Sequence, residues 1–286
     1  MQLSIGQCAT LACICEATAP KPGNVHRGAD FEDLTFPDLL AAAVAIGPAM
    51  DRAETSRVGT VVLEAVRATR AIISTNANLG TVLLLAPLAA VPRDKPLAEG
   101  IGAILNRLEA ADARDVYEAI RIAKPGGMGR VAEADVADVE RPPPANLLDA
   151  MRLAANRDLV ARQFVNGFHE VLIDAAGSLA DGFARGWTAG EMIVHAQLTL
   201  MSRFPDSLIA RKCGSKVAQQ ASDRAAAVLE AGTPRDESFW VAAGELDFWL
   251  RTDGHRRNPG TTADLIAAGL FVLLREGIMT WPMRWQ

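Results

Sequence analysis

Tyrosine occurs once in these 286 residues, and aromatic side chains make up only 5% of the chain. Strands favour aromatic and β-branched residues, so this scarcity argues against a sheet-built protein. An excess of positive charge is also missing. The formal net charge is −5, which offers no basic field to neutralise a nucleic-acid backbone and excludes nucleic acid as a partner. Only four cysteines are present, Cys8, Cys13, Cys15 and Cys213, and none forms a C-x-x-C pair. Neither a zinc framework nor a disulfide scaffold is indicated, and buried thiols in a reducing compartment are expected. A bilayer-length apolar run is absent too. The longest, Leu79 to Val91, is too short to span and contains Pro87, and no basic segment followed by a long apolar one opens the chain. The expectation is a cytoplasmic protein without a membrane partner.

Familiar catalytic signatures are missing as well: no H-E-x-x-H, no G-x-S-x-G, no Walker A loop and no G-x-G-x-x-G after a strand. What is there is alanine, leucine, valine and isoleucine in helical patterns. Half of the residues are apolar, enough for a substantial core. The composition and patterning predict an all-α fold, a single domain over residues 1–286 formed by one bundle of about ten helices with buried apolar helices at its centre.

Helices are expected over 5–18, from Phe36 to Met50 with Thr35 as cap, and from Ser56 to Ser74. The segment "NANLGTVLLLAPLAAVP" reads as a helix apolar on every side, suited to a bundle centre. Another runs from Asp112 as cap to Ala123 and stops at "KPGGMG", Lys124 to Gly129. The run Pro142 to Pro144 is the best linker candidate, although composition does not change across it. The pattern from Asn146 to Leu200 is helical with breaks near Gly177 and Gly186; Ser215 to Ala231 is a further helix, Leu246 to Arg251 belongs to another, and "NPGTTADLIAAGLFVLL" completes the set. His169, His195 and His255 lack ligand spacing and read as structural. Trp240, Trp249, Trp281 and Trp285 crowd the C-terminal fifth, marking core or a contact within a homo-oligomer.

Chemistry-bearing residues gather where helices begin and end. "PKPGNVHRG", Pro20 to Gly28, follows a helix that its prolines end, and carries Lys21, His26 and Arg27. "NANLG" and "NPGTTAD" open apolar helices, where free amide hydrogens and the positive end of the dipole favour anionic oxygens. Each also has a plainer reading: an asparagine cap in the first, and a capping box of Thr261 with Asp264 in the second. In "RFPDSLIARKCGSK", Asp206 can cap a short helix whose last turn holds Arg211 and Lys212. Together the four clusters would suit a polyphosphate ligand, leaving Asp30, Glu32, Asp33 and Asp264 to bind Mg²⁺ or act as bases.

In this order the segments "EATAPKPGNVHRGADFEDLTF", "NANLGTVLLLAPLA", "DSLIARKCG" and "NPGTTADLIAAGLF" resemble the triphosphoribosyl-dephospho-CoA synthase family. The resemblance spans nearly the whole chain. It is closer to a branch carrying K-P-G-N-V-H, whose members resemble proteins associated with tetrahydromethanopterin-dependent one-carbon metabolism, than to the branch with K-P-G-L-V-D. It implies an all-α transferase that joins the ribose of ATP to a hydroxyl of an acceptor, dephospho-CoA in the founding reaction, and releases adenine. The implied alternative is a nucleotide-binding protein or helical hydrolase of one-carbon cofactor biosynthesis. Asp30, Asp33 and His26 become candidate catalytic residues. Lys21, Gly23, Asn24, Arg27, Asn76, Asn78, Gly80, Arg211, Lys212, Asn258, Gly260 and Thr261 become candidate nucleotide ligands, with Asp33 and Asp264 on Mg²⁺.

Overall fold

The structure, a computed structural model, describes residues 2–124 and 146–285. Among these the fold is all-α: fourteen α-helices, one 3₁₀ turn and one π-helical segment, with no strand. None of the helices is long and apolar enough to cross a membrane. The chain divides into two compact units, Met1–Ile14 with Pro37–His169, and Cys15–Phe36 with Glu170–Gln286. Pro142 to Pro144, and all of the "KPGGMG" turn except Lys124, lie outside the described residues.

The first unit takes most of α1 (Ile5–Thr18) and then α2 (Phe36–Asp51), α3 (Val58–Arg70), α4 (Leu79–Ala89), α5 (Leu97–Asn106), α6 (Ala110–Ala123), α7 (Leu147–Ala154) and α8 (Leu159–Asn166). All residues of α4 except Gly80 are buried, as expected of a helix without a polar face. It packs against α3, which also packs along α6. Helix α6 starts one turn earlier than its sequence suggests. Asp112 is not its cap; its Oδ2 accepts from Glu109 N at 2.8 Å, while Oδ1 takes Gly59 N at 2.7 Å. A carboxylate already committed to two backbone amides ties α6 to α3 and pushes the helix start back to Glu109.

The second unit holds the end of α1 and the loop that follows it up to the start of α2, a π-helical segment (Glu170–Ala175), α9 (Ala176–Ala184), α10 (Ala189–Arg203), α11 (Ser207–Cys213), α12 (Ser215–Glu230), α13 (Glu237–Arg251) and α14 (Gly260–Arg275). Val194, Leu198 and Met201 of α10 meet Ile209, Ala218, Ala221 and Ala225 from α11 and α12 and Phe239, Leu246 and Leu250 from α13. Alanine dominates the α12 face, which lets the helices approach closely. Almost all of α14 is buried, and it lies against the π-helical segment and α9.

The helix count exceeds ten because the stretch from Asn146 to Leu200, expected to be helical with two breaks, is cut into more pieces, and because α5 lies where the sequence pattern predicts no helix. A break does fall at Gly186. None falls at Gly177, which lies inside α9; the further interruptions come at 155–158, between α7 and α8, and at Gly167, whose φ of 71° ends α8, before the π-helical segment. A left-handed residue stops a helix by redirecting its last carbonyls.

Candidate active site

Pro20 and Pro22 end α1 as the sequence requires, and the chain then enters the loop that carries the first cluster. Lys21 is completely buried. Its ammonium donates to the Glu16 carbonyl and pairs with Glu16 Oε1 at 2.9 Å, so its charge is spent inside the loop base. Gly23 has a φ of 78°, and a Cβ there would lie 2.7 Å from Leu250 Cδ1 and 2.8 Å from Pro259 Cδ. Only glycine fits that conformation and that gap. Its N–H donates to Asp247 Oδ1 at 2.7 Å, and Arg251, gripping both oxygens of Asp247 through Nε, extends a terminal nitrogen to the Asn24 carbonyl at 2.5 Å. Asn24 Nδ2 in turn donates to Asn258 Oδ1 at 2.6 Å. The first and fourth clusters are therefore joined directly.

Beyond Asn24 the chain makes a tight turn in which His26 and Ala29 exchange backbone hydrogen bonds, leaving Arg27 exposed at the tip. His26 Nδ1 accepts from Gly28 N at 3.1 Å, which places the ring proton of the neutral form on Nε2. Burial, with the positive charges of Arg251 and Lys21, holds its pKa below the usual histidine value. Phe31 is buried and stacks on His255, ring centroids 3.9 Å apart, with the Arg251 guanidinium 5.8 Å from the Phe31 ring centre. Asp30 accepts from Phe36 N at 2.7 Å, which caps the start of α2. Asp33 is exposed.

Asp206 is the joint between the third and fourth clusters. It is buried, and its Oδ1 accepts from Leu208 N at 2.8 Å and Ile209 N at 3.0 Å, capping α11 as expected. Its Oδ2 reaches α14, accepting from Thr262 N at 2.7 Å and Thr262 Oγ1 at 2.8 Å. Burial pushes the carboxyl above the usual range, against the pull of these hydrogen bonds. The Thr261 to Asp264 capping box is replaced by this distant cap, because Thr261 Oγ1 is engaged by Ser207 Oγ at 3.0 Å and the helix begins at Gly260. Lys212 is partly buried. Burial and the Arg211 charge lower its pKa, while Asp33 and Asp206 act in the opposite sense, which puts Asp33 within electrostatic reach of the third cluster.

The remaining cluster belongs to the other unit. There Asn76 Oδ1 accepts from Leu79 N at 3.2 Å, and Asn78 Nδ2 donates to Thr69 Oγ1 at 3.4 Å. Asn76 thus serves the start of α4, and buried Asn78 ties that start to α3; Gly80 is the one α4 residue that is not buried. The other histidines lie apart from these clusters. His195 packs edge-on to Trp187 at 4.8 Å, and His169 is exposed after α8. Trp240 and Trp281 are exposed, and Trp249 lies between Arg224 and Arg257.

Three of the four clusters, widely spaced along the chain, thus meet in one unit around a glycine and an aspartate that admit little substitution. A family model of ATP:dephospho-CoA triphosphoribosyl transferase, CitG, matches residues 2–282. The chain belongs to this family. It is accordingly a transferase of the triphosphoribosyl-dephospho-CoA synthase type. Among solved structures it is similar to a protein from Archaeoglobus fulgidus whose assignment is triphosphoribosyl-dephospho-CoA synthase, with 31% identity and a TM-score of 0.64, covering 84% of this chain and all of that one. None of the curated proteins compared with the chain matches it.

Four residues of this arrangement escape a sequence reading: Asp247, Arg251, Phe31 and Gln197, whose Nε2 donates to Asn24 Oδ1 at 2.8 Å. Asp247 and Arg251 stand four apart on α13, a spacing that in sequence means an ordinary helix-surface ion pair. Gln197 alone left a trace, as the amide amid the apolar positions of α10, where it is completely buried. A polar residue on a core-facing stripe needs a partner, and only the fold identifies it.

Proposed function

We propose that the chain transfers the triphosphoribosyl group of ATP to a hydroxyl of an acceptor of the dephospho-CoA class and releases adenine. The observation that carries this reading is the direct linkage of the first, third and fourth clusters, through Asn24 to Asn258 and Asp206 to Thr262, in a chain whose family performs this transfer. In the reaction the acceptor oxygen forms a bond to C1′ of the ribose as the C1′–N9 bond breaks. The bonding pair leaves with adenine, and the hydroxyl proton is taken by a carboxylate and returned to adenine through solvent. Positive charge grows at C1′, so the residues must hold the triphosphate still and keep the acceptor in line.

Arg27, Arg211 and Lys212 are the proposed phosphate ligands, with Gly260 and Thr261 at the start of α14. Lys21, buried against Glu16, supports the loop rather than the phosphates. Asp33, exposed and near the third cluster, is better placed than Asp30, whose carboxylate already caps α2, to serve either as base or, in its stead, as Mg²⁺ ligand. His26 would remain neutral, donating from Nε2. Asn76, Asn78 and Gly80 are proposed as nucleotide ligands from the family pattern alone. Among the described residues no group of three or more His, Cys, Asp or Glu is placed to hold a metal. This donor set suits Mg²⁺ shared with the substrate, which takes one or two carboxylates together with phosphate oxygens. Asp33 and Asp264 would supply the carboxylates, and the ion would neutralise triphosphate charge. We place the reaction in the cytoplasm, and exposed Trp240 and Phe248 on α13 offer a face to a second copy.

Purified protein incubated with ATP and Mg²⁺, with and without dephospho-CoA, tests this by chromatography of adenine and mass analysis of the product. Adenine formed only with the acceptor, together with a triphosphoribosyl adduct, is expected. Adenine formed equally without acceptor would identify a hydrolase, and binding of ATP without adenine formation would remove the transferase reading.

A further inference from the structure

One buried amide has no place in the mechanism above. Gln197 of α10 is 0% exposed, its Nε2 donates to the Pro22 carbonyl at 3.1 Å and to Asn24 Oδ1 at 2.8 Å, and its Oε1 has no partner among the described residues. Leaving a buried acceptor unpaired costs free energy that an apolar residue would avoid, so packing does not explain the amide.

The hydrogen-bond chain does. A backbone carbonyl can only accept, so the Gln197 atom facing Pro22 must be the NH₂. The Asn24 atom facing that NH₂ must then be oxygen, which turns Asn24 Nδ2 toward Asn258. Asn258 must answer with Oδ1, as it does at 2.6 Å. Its Nδ2 is therefore left facing away from the relay. Asn258 is partly exposed, and that nitrogen has no acceptor among the described residues and is not sealed from solvent. The Pro22 carbonyl, through three amides in series, dictates that the group offered at the start of α14 is a hydrogen-bond donor and never an acceptor.

We infer that Gln197 is a positioning residue that acts through Asn24 to hold the Asn258 amide with its NH₂ presented to an anionic oxygen of the nucleotide. This rests on the proposed ATP site. It explains why Asn24 and Asn258 stand where they do in the two clusters, and assigns Gln197 a role that no cluster contains.

The test measures ATP affinity calorimetrically, and KM and kcat for adenine release, in the full chain. Asn258→Asp keeps the oxygen that accepts from Asn24 but presents a carboxylate outward, and should weaken ATP binding about tenfold or more with little change in melting temperature. Gln197→Met should raise the KM for ATP several-fold with a smaller effect on kcat. Combined with Asn258→Ala it should add nothing to the loss from Asn258→Ala alone, because the positioned group is gone. Independent, multiplying losses would mean that Gln197 is merely structural and would overturn the inference. Should Gln197→Met not fold, Asn24→Asp reads the same relay. It keeps the oxygen toward Gln197 but replaces the donor toward Asn258, forcing that amide to reverse, so ATP affinity should again fall. Unchanged affinity in Asn258→Asp or Asn24→Asp refutes the relay. Wild-type protein that neither binds ATP nor releases adenine refutes the underlying site instead.

Discussion

Removing the Asp206 carboxylate should cost the second unit two helix starts at once. In Asp206→Ala the cap on α11 disappears, a loss of about 1 kcal/mol for an N-cap of this kind. On the other side, Thr262 N and Oγ1, at 2.7 and 2.8 Å from Oδ2, lose their acceptor in a buried position. The hydroxyl can rotate to another partner but the amide cannot, which adds about 2–3 kcal/mol. The total, about 3–4 kcal/mol, corresponds to a fall in melting temperature of about 6–16 °C at about 2–4 °C per kcal/mol. Asp206→Asn separates the two contributions. Asparagine is as good a cap as aspartate, so its oxygen can serve Leu208 and Ile209, but its NH₂ then faces the Thr262 amide and only the α14 side is lost. Circular-dichroism melts should order the proteins wild type, Asn variant, Ala variant, and hydrogen exchange should show the loss concentrated at the starts of α11 and α14. An Ala variant costing less than about 1 kcal/mol, or an Asn variant as unstable as the Ala variant, would refute the double-cap argument.

Gly23→Ala should destabilise by about 2–4 kcal/mol, from the left-handed backbone and the overlap with Leu250 and Pro259; thermal denaturation checks this. A stable variant with full adenine release would show that the loop can take another path. Asp33→Asn should lower turnover about a hundredfold or more while leaving the melting temperature unchanged, since the side chain is exposed; rates with dephospho-CoA decide it. His26 and His195 are both held below the usual histidine pKa, first by burial, so each takes up a proton more readily unfolded than folded. Their contribution to stability is full above about pH 6.5 and is lost as pH falls toward their folded pKa values. The melting temperature should fall between pH 7 and pH 5.5, less steeply in His195→Gln, and an NMR titration of His26 should give a midpoint below 6.5.

Much of the architecture is legible in the residues themselves. A chain poor in aromatics with alanine-rich 3.6-residue periodicity has few options but packed helices, and α4 and α14, apolar on every side, can only be buried. Local rules also placed the end of α1 at its prolines and the cap of α11 at Asp206, because those interactions span a few residues. The same rules misplaced the start of α6, where Asp112 serves Gly59 from another helix, and the break at Gly167, which needs a left-handed residue rather than a change in pattern.

The site divides along the same line. The order of the four clusters was enough to suggest the family, since their spacing along the chain is a property of sequence. Which atoms they offer was not. Lys21, an obvious phosphate ligand on paper, is turned inward to Glu16, and Asp30 is spent on an amide. Asp206 holds a helix 56 positions away, and Asp247, Arg251 and Gln197 enter the site from helices that carry no cluster. Hydrogen bonds and ion pairs act over about 3 Å through space, whatever the separation in sequence. Composition and periodicity therefore decide that helices form and which faces are buried, while only the folded chain decides which polar groups are consumed in holding it together and which remain to meet a substrate.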